Sequence, residues 1–249
     1  MENKRLVSLD AFRGFTVAAM ILVNNPGDWG NTYGILLHAN WHETITPTDL
    51  IFPFFLFIVG VSIVLAYAKQ KAAGKSKGEM QKKIVWRAVK IFALGIFLSL
   101  YPEFNFAEIR IPGVLQRIAI VFLVCGLLFV NTCWKTQATW GVAFLVVYWL
   151  VMVFVPVPGL GAGVLEPGQN MAAWLDALVI PGKMWEGTWD PEGILSTVPA
   201  FTTGICGMMA GHVIQSKMTA EHKLIWLYMG GACVLALGYL WGWSFPINK

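Results

Sequence analysis

The stretch Thr48-Asp-Leu-Ile-Phe-Pro-Phe-Phe-Leu-Phe-Ile-Val-Gly-Val-Ser-Ile-Val-Leu-Ala-Tyr-Ala68 holds one charged residue, Asp49, at its second position. A helix rising 1.5 Å per residue crosses the roughly 30 Å of bilayer hydrocarbon in about 20 residues, and this run has that length. Inside lipid every backbone N–H and C=O must be satisfied within the segment, so the run is expected to be helical. Working outward, six more apolar runs of similar length follow the same reading: Val7–Asn24, Ile84–Tyr101, Gly113–Asn131, Thr136–Val155, Gly193–Gln215 and Leu224–Trp243. The alternating pattern of a membrane β-strand is absent. The expected fold is therefore all-α, a polytopic membrane helix bundle of about seven transmembrane helices.

Composition agrees. The 249 residues are 57% apolar and 13% charged, against roughly a quarter charged in soluble domains. Twelve tryptophans and sixteen phenylalanines suit the bilayer and its interfaces. The net charge of +4 does not point to nucleic acid, because the basic residues gather in one short loop without a nucleic-acid-reading motif around them. Four cysteines, Cys125, Cys133, Cys206 and Cys233, give no disulfide framework. Lys4 and Arg5 precede the first run as in a signal peptide, but Asp10 and Arg13 interrupt it and no small-residue cleavage site follows, so a retained helix is expected.

Lysine and arginine in short loops set orientation. One set of loops carries Lys4, Arg5, Lys69, Lys71, Lys75, Lys77, Lys82, Lys83, Lys135, Lys217 and Lys223, and the other only Arg110, Lys183 and Lys249. That asymmetry predicts a cytoplasmic N-terminus, with residues 25–47, 102–112 and 156–192 outside. Those outer loops hold Asp28, Glu43, Glu103, Glu108, Glu166, Asp176, Glu186, Asp190 and Glu192. They read either as solvated surface or as a vestibule attracting a cationic substrate.

Ionisable groups within the runs need a partner or a purpose. Asp10 and Arg13 share a helix face, either as a local ion pair or with Arg13 free to hold an anion from the cytoplasmic side. Arg87 and Lys90 can snorkel to headgroups. Arg117 falls one turn into its run, too deep for easy escape, and is expected to face a polar cavity. Asp49 and the Asp190-Pro-Glu-Gly193 turn each suit a helix start. His38 and His42 flank Trp41 in the first outer loop, and an imidazole there has a suitable basicity for general-base work. With no third ligand at a metal-binding spacing, no metal is expected. His212 and His222 read as interfacial residues only.

Six blocks in order along the chain carry a resemblance: Ser8-Leu-Asp-Ala-Phe-Arg-Gly14, Val23-Asn24, His38-Ala-Asn-Trp41, Asp49-Leu-Ile-Phe-Pro53, Arg110-Ile-Pro-Gly-Val-Leu-Gln-Arg117 and Asp190-Pro-Glu-Gly-Ile-Leu195. Together they resemble the transmembrane acetyltransferase family of heparan-α-glucosaminide N-acetyltransferase and its bacterial relatives. The resemblance implies acetyl transfer from cytoplasmic acetyl-CoA, as acetyl donor, to an amino sugar on the outer side. It implies a catalytic His38; on chemical grounds Asn24 is then expected to stabilise the oxyanion and Asp49 to orient the imidazole. Arg13, Arg87 and Arg117 would contact the donor, while Trp41, Asp190 and Glu192 would contact the sugar. The stretch between His38 and Asp49 is one residue longer than the family pattern, which keeps His42 as an alternative. The closing Phe245-Pro-Ile-Asn-Lys249 resembles a motif that leads into further membrane helices. Residues 1–249 are thus expected to form one transmembrane acyltransferase domain, incomplete at its C-terminal end. A bacterial inner membrane fits the lack of Asn-x-Ser/Thr sequons. Expected partners are an amino-sugar or glycan substrate, the bilayer and a second copy in a homodimer. Two other functions stay open: a transporter for a sugar or small anion, and acyl transfer to a glycan hydroxyl.

Overall fold

A computed structural model describes residues 6–42 and 45–247. Lys4, Arg5, Glu43 and Lys249, which enter the charge readings above, lie outside the described residues. Eight α-helices run in order: α1 Val7–Asn24, α2 Pro47–Ala72, α3 Lys77–Leu100, α4 Val114–Asn131, α5 Trp134–Phe154, α6 Met171–Val179, α7 Thr197–Gln215 and α8 Ala220–Gly242. Six of them, all but α3 and α6, are long and apolar enough to cross a membrane.

The expected seventh span is a helix, α3, but it differs from the others in charge. Even its last 18 residues keep Lys83, Arg87 and Lys90. The helix also starts earlier than the apolar run, because lysine-bearing turns continue it beyond the apolar stretch. Similarly α2 extends to Ala72 through Lys69 and Lys71. Lys71 Nζ then donates to the carbonyls of Phe129 at 2.7 Å and Thr132 at 2.9 Å, closing the C-terminal end of α4 where acceptors lack intrahelical partners.

α2 is the central helix. It packs most extensively on α7 and also contacts α4 and α1, while α3 packs on α4 and α5 on α7. The α2–α7 crossing depends on glycine: a Cβ on Gly60 would run into the carbonyl of Gly204, and one on Gly207 into the carbonyl of Phe57. Close backbone approach gives lipid-embedded helices the dispersion contacts that the hydrophobic effect does not supply there. Around this crossing Leu56, Ile63, Val64, Ile84, Val121, Cys125, Phe129 and Met208 are buried together.

Many of the large apolar residues left exposed lie on α1, α3, α5 and α8, as a lipid-facing surface requires. α8 buries no residue at all. One residue expected only at an interface is built into the bundle: His212 on α7 hydrogen-bonds the buried Gln137 of α5 at 2.9 Å and stacks on Phe129 at 5.6 Å.

Candidate active site

The connections sort to two sides. On one lie the loops rich in lysine. On the other the α1–α2 loop meets the long α5–α7 connection: Trp41 Nε1 donates to the Leu165 carbonyl at 2.9 Å, and its ring meets Trp189 edge-on at 5.3 Å. His42 takes a left-handed backbone conformation and places Nε2 3.4 Å from Glu166 Oε1. These contacts hold the loop carrying His38 in place.

The start of α2 fixes the carboxylate beside His38. Pro47 suits the first helical turn because its missing N–H has no intrahelical partner there anyway. Asp49 Oδ2 accepts from the backbone N–H of Thr46 at 2.9 Å and of Ala39 at 3.2 Å, with the Thr46 hydroxyl also 2.9 Å away. Its other oxygen, Oδ1, lies 2.6 Å from His38 Nδ1. A carboxylate only accepts, so Nδ1 carries the proton and donates it, leaving the Nε2 lone pair free. The His38 side chain is 61% exposed against 12% for Asp49. A fixed carboxylate thus orients an accessible imidazole with its basic nitrogen outward.

A second polar cluster lies on the same side. Arg110 Nε and Nη2 donate to Asp190 Oδ2 and Oδ1, each at 2.7 Å, and Nη2 also reaches Glu192 Oε2 at 2.5 Å. The guanidinium sits over the Trp185 ring at 5.0 Å. Burial works against the Asp190 anion, but the Arg110 fork and the N–H groups of Glu192 and Trp185 outweigh it and hold that carboxyl below its usual range. Glu192 goes the other way: burial dominates and raises it, despite the attraction of Arg110 and Arg117. One cation beside two carboxylates favours the one it grips with two bonds. Arg110 itself is raised, its hydrogen bonds to Asp190 overcoming burial.

Arg117, buried in the first turns of α4, ties down the turn before α7. Its Nη2 donates to the carbonyls of Pro191 at 2.8 Å and Gly193 at 3.2 Å and to the Ser196 hydroxyl. Its Nε has no hydrogen-bond partner among the described residues.

Beside Trp41 and Asp190 is a cavity of about 70 Å³, also lined by Trp189, Tyr148, Asp176 and Ser196 among others. Asp176 comes from α6, whose start is capped by the Asn170 side chain accepting from Ala173 N at 2.9 Å. Burial pushes the Asp176 carboxyl up to about 6, only partly offset by the N–H of Ile194, which donates to Oδ1 at 2.8 Å.

The family described as "Heparan-alpha-glucosaminide N-acetyltransferase, catalytic" matches residues 5–236. The chain belongs to that family. It is similar to the heparan-alpha-glucosaminide N-acetyltransferases of Homo sapiens, at 29% identity, and Mus musculus, at 26%, each over 94% of this chain. The chain spans 42% of the length of those two relatives.

Against the family resemblance drawn from the sequence, the structure brings His38 and Asp49 into contact and sets Trp41 at the nearby cavity. Asn24 ends α1, exposed, and makes no hydrogen bond with His38 or Asp49 among the described residues. Asp190 and Glu192, expected to meet a sugar ammonium, are both held by Arg110. Of the residues expected at the donor, Arg13 pairs with Asp10 at 3.3 Å and donates to Ser62 on α2 at 3.2 Å, while Arg87 lies over Phe122 at 5.2 Å. Two residues the sequence reading passed over are Arg110 as a clamp and Asp176 as a cavity carboxylate. The turn from Asn170 into Met171-Ala-Ala-Trp-Leu-Asp-Ala-Leu-Val179 is a capped, amphipathic helix start, and that signal marks α6 in a stretch read as loop.

Proposed function

We propose that this chain transfers the acetyl group of acetyl-CoA to the amine of a glucosamine-like sugar, with His38 as the proton-accepting base. The observation that carries the reading is the 2.6 Å contact between His38 Nδ1 and Asp49 Oδ1, which leaves Nε2 free at an exposed ring. As the amine nitrogen attacks the thioester carbonyl, Nε2 takes the amine proton, the C–N bond forms and the C–S bond breaks. The imidazolium that results is stabilised by Asp49 and returns its proton to the departing thiolate, giving CoA and the N-acetyl sugar. Asn24 supplies an amide N–H for the developing oxyanion. The Arg117 Nε, buried and without a hydrogen-bond partner among the described residues, is a donor for an oxygen of the bound acetyl donor. Arg13 and Arg87, with the lysines around them, face the donor's phosphates from the cytoplasmic side under the charge rule.

The purified chain in detergent, given acetyl-CoA and glucosamine, is expected to release CoA and N-acetylglucosamine in equal amounts. His38→Ala is expected to be silent. A His38→Ala chain that keeps most of its rate overturns the assignment, and a wild-type chain that never acetylates an amine overturns the reaction. Release of CoA before any acceptor is added would mean that Nε2 takes the acetyl group first.

A further inference from the structure

We propose that the cavity beside Trp41 is the seat of the acceptor's amine, with Asp176 as the carboxylate that recognises its ammonium and the Trp41–Trp189 pair as the wall for the sugar ring. This rests on the acetyl-transfer reading above and names the acceptor-recognising residue within it.

The carboxylates that the sequence offers for this task are already held. Asp190 is gripped by the Arg110 fork, and Glu192 shares the same guanidinium. Asp176 has no such cation. It is 1% exposed, its Oδ1 accepts from Ile194 N, and its Oδ2 accepts no hydrogen bond among the described residues. It nevertheless lines the cavity. A buried carboxylate with an open acceptor site is costly unless a donor arrives. Arg117 acts on it by charge, but its Nη2 bonds go to Pro191, Gly193 and Ser196 instead.

The backbone around Asp176 is shaped to keep that oxygen in place. A Cβ on Gly193 would overlap Oδ2, so only glycine lets the turn pass so close. The cavity, about 70 Å³, has several times the space one water needs, enough for an ammonium and its neighbouring carbons but not a whole hexose. The ring is then left against the two indoles that line the cavity and stand edge to face at 5.3 Å. Indole faces favour an adjacent cation, which matches an amine-bearing ligand better than a neutral sugar. A site that binds through charge-assisted hydrogen bonds discriminates against a ligand lacking the charged group.

The test uses Asp176→Asn in the full chain, because the amide oxygen still accepts from Ile194 N and the side chain keeps its shape. With glucosamine as acceptor, KM is expected to rise about tenfold or more, the loss of one hydrogen bond to a charged group. KM for acetyl-CoA should stay within twofold. Binding of glucosamine alone, followed by tryptophan fluorescence, should weaken equally, and glucose should bind neither chain. If Asp176→Asn binds and acetylates glucosamine with wild-type KM, the inference is overturned whatever the reaction. If the wild-type chain binds glucosamine through Asp176 but transfers no acetyl group, the site stands and the acetyl-transfer reading falls. Should Asp176→Asn misfold by thermal melting, Trp189→Ala is the second variant; unchanged glucosamine binding there overturns the proposal.

Discussion

Two polar clusters face the same side of the bundle and use the same kinds of residue in opposite ways. In the Arg110–Asp190–Glu192 cluster both oxygens of the buried Asp190 are occupied, by the half-buried Arg110 guanidinium and by the Trp185 and Glu192 N–H groups. In the His38–Asp49 pair the carboxylate is equally well held, but the imidazole is exposed and one ring nitrogen has no hydrogen-bond partner among the described residues. Saturation makes the first cluster a fastener between the α3–α4 connection and the turn before α7. The deliberate vacancy at His38 Nε2 makes the second one available for chemistry. Polar residues of a membrane bundle are thus sorted by what remains unpaired rather than by residue type.

The comparison breaks most directly at His38. His38→Ala should lower kcat by about 10²- to 10⁴-fold, the usual worth of a positioned base, while the thermal midpoint stays put. Equal losses of stability and rate would make the pair a fastener too. Asp49→Asn should approach the same loss: an asparagine amide turned toward Nδ1 donates, which forces the proton onto Nε2 and removes the base. The double variant should be no slower than His38→Ala alone.

Arg110→Ala should show the reverse profile. It leaves the buried Asp190 and the half-buried Glu192 without their cation, and a loss of about 3–5 kcal/mol in unfolding free energy is expected from denaturant titration in micelles. Arg110→Lys should restore only part of it, since an ammonium cannot reproduce the fork. Smaller again is Gly193→Ala, expected to cost about 1–3 kcal/mol because the new methyl displaces Asp176 or the turn.

The smallest effect concerns pH and has opposite signs in neighbouring carboxyls. Asp190 is held below its unfolded value, so its contribution is present above about pH 4 and is lost as pH falls through the folded value. Asp176 rises from 3.8 to about 6, so the folded state binds the extra proton and stability falls as pH rises between those values. Asp176→Asn should therefore raise the thermal midpoint at pH 7.5 and leave it unchanged at pH 4. A destabilised variant at pH 7.5 would mean that the charge is matched within the fold.

Much of this was legible in the residues. The starts and ends of α1 and α4 follow the apolar runs closely, since lipid tolerates no other backbone solution there. The capping role of Asp49 was also local, because Thr46 and Pro47 adjoin it in sequence. Family membership was carried by short blocks such as His38-Ala-Asn-Trp41 and Asp190-Pro-Glu-Gly-Ile-Leu195. The pairing of Asp190 with Arg110 was not legible, because that partner lies 80 residues earlier and local spacing has no bearing on such a pair.

By itself, then, the sequence determined where the chain is apolar over a bilayer's thickness, which loops carry the positive charge and which family the blocks belong to. Those properties are sums over neighbouring residues. Folding in three dimensions set which carboxylates Arg110 grips, that His38 meets Asp49, and that Asp176, whose Oδ2 accepts no hydrogen bond among the described residues, lines a cavity with Trp41. These depend on distances of about 3 Å between segments far apart in the chain, and a hydrogen bond is made or missed over a few tenths of an ångström.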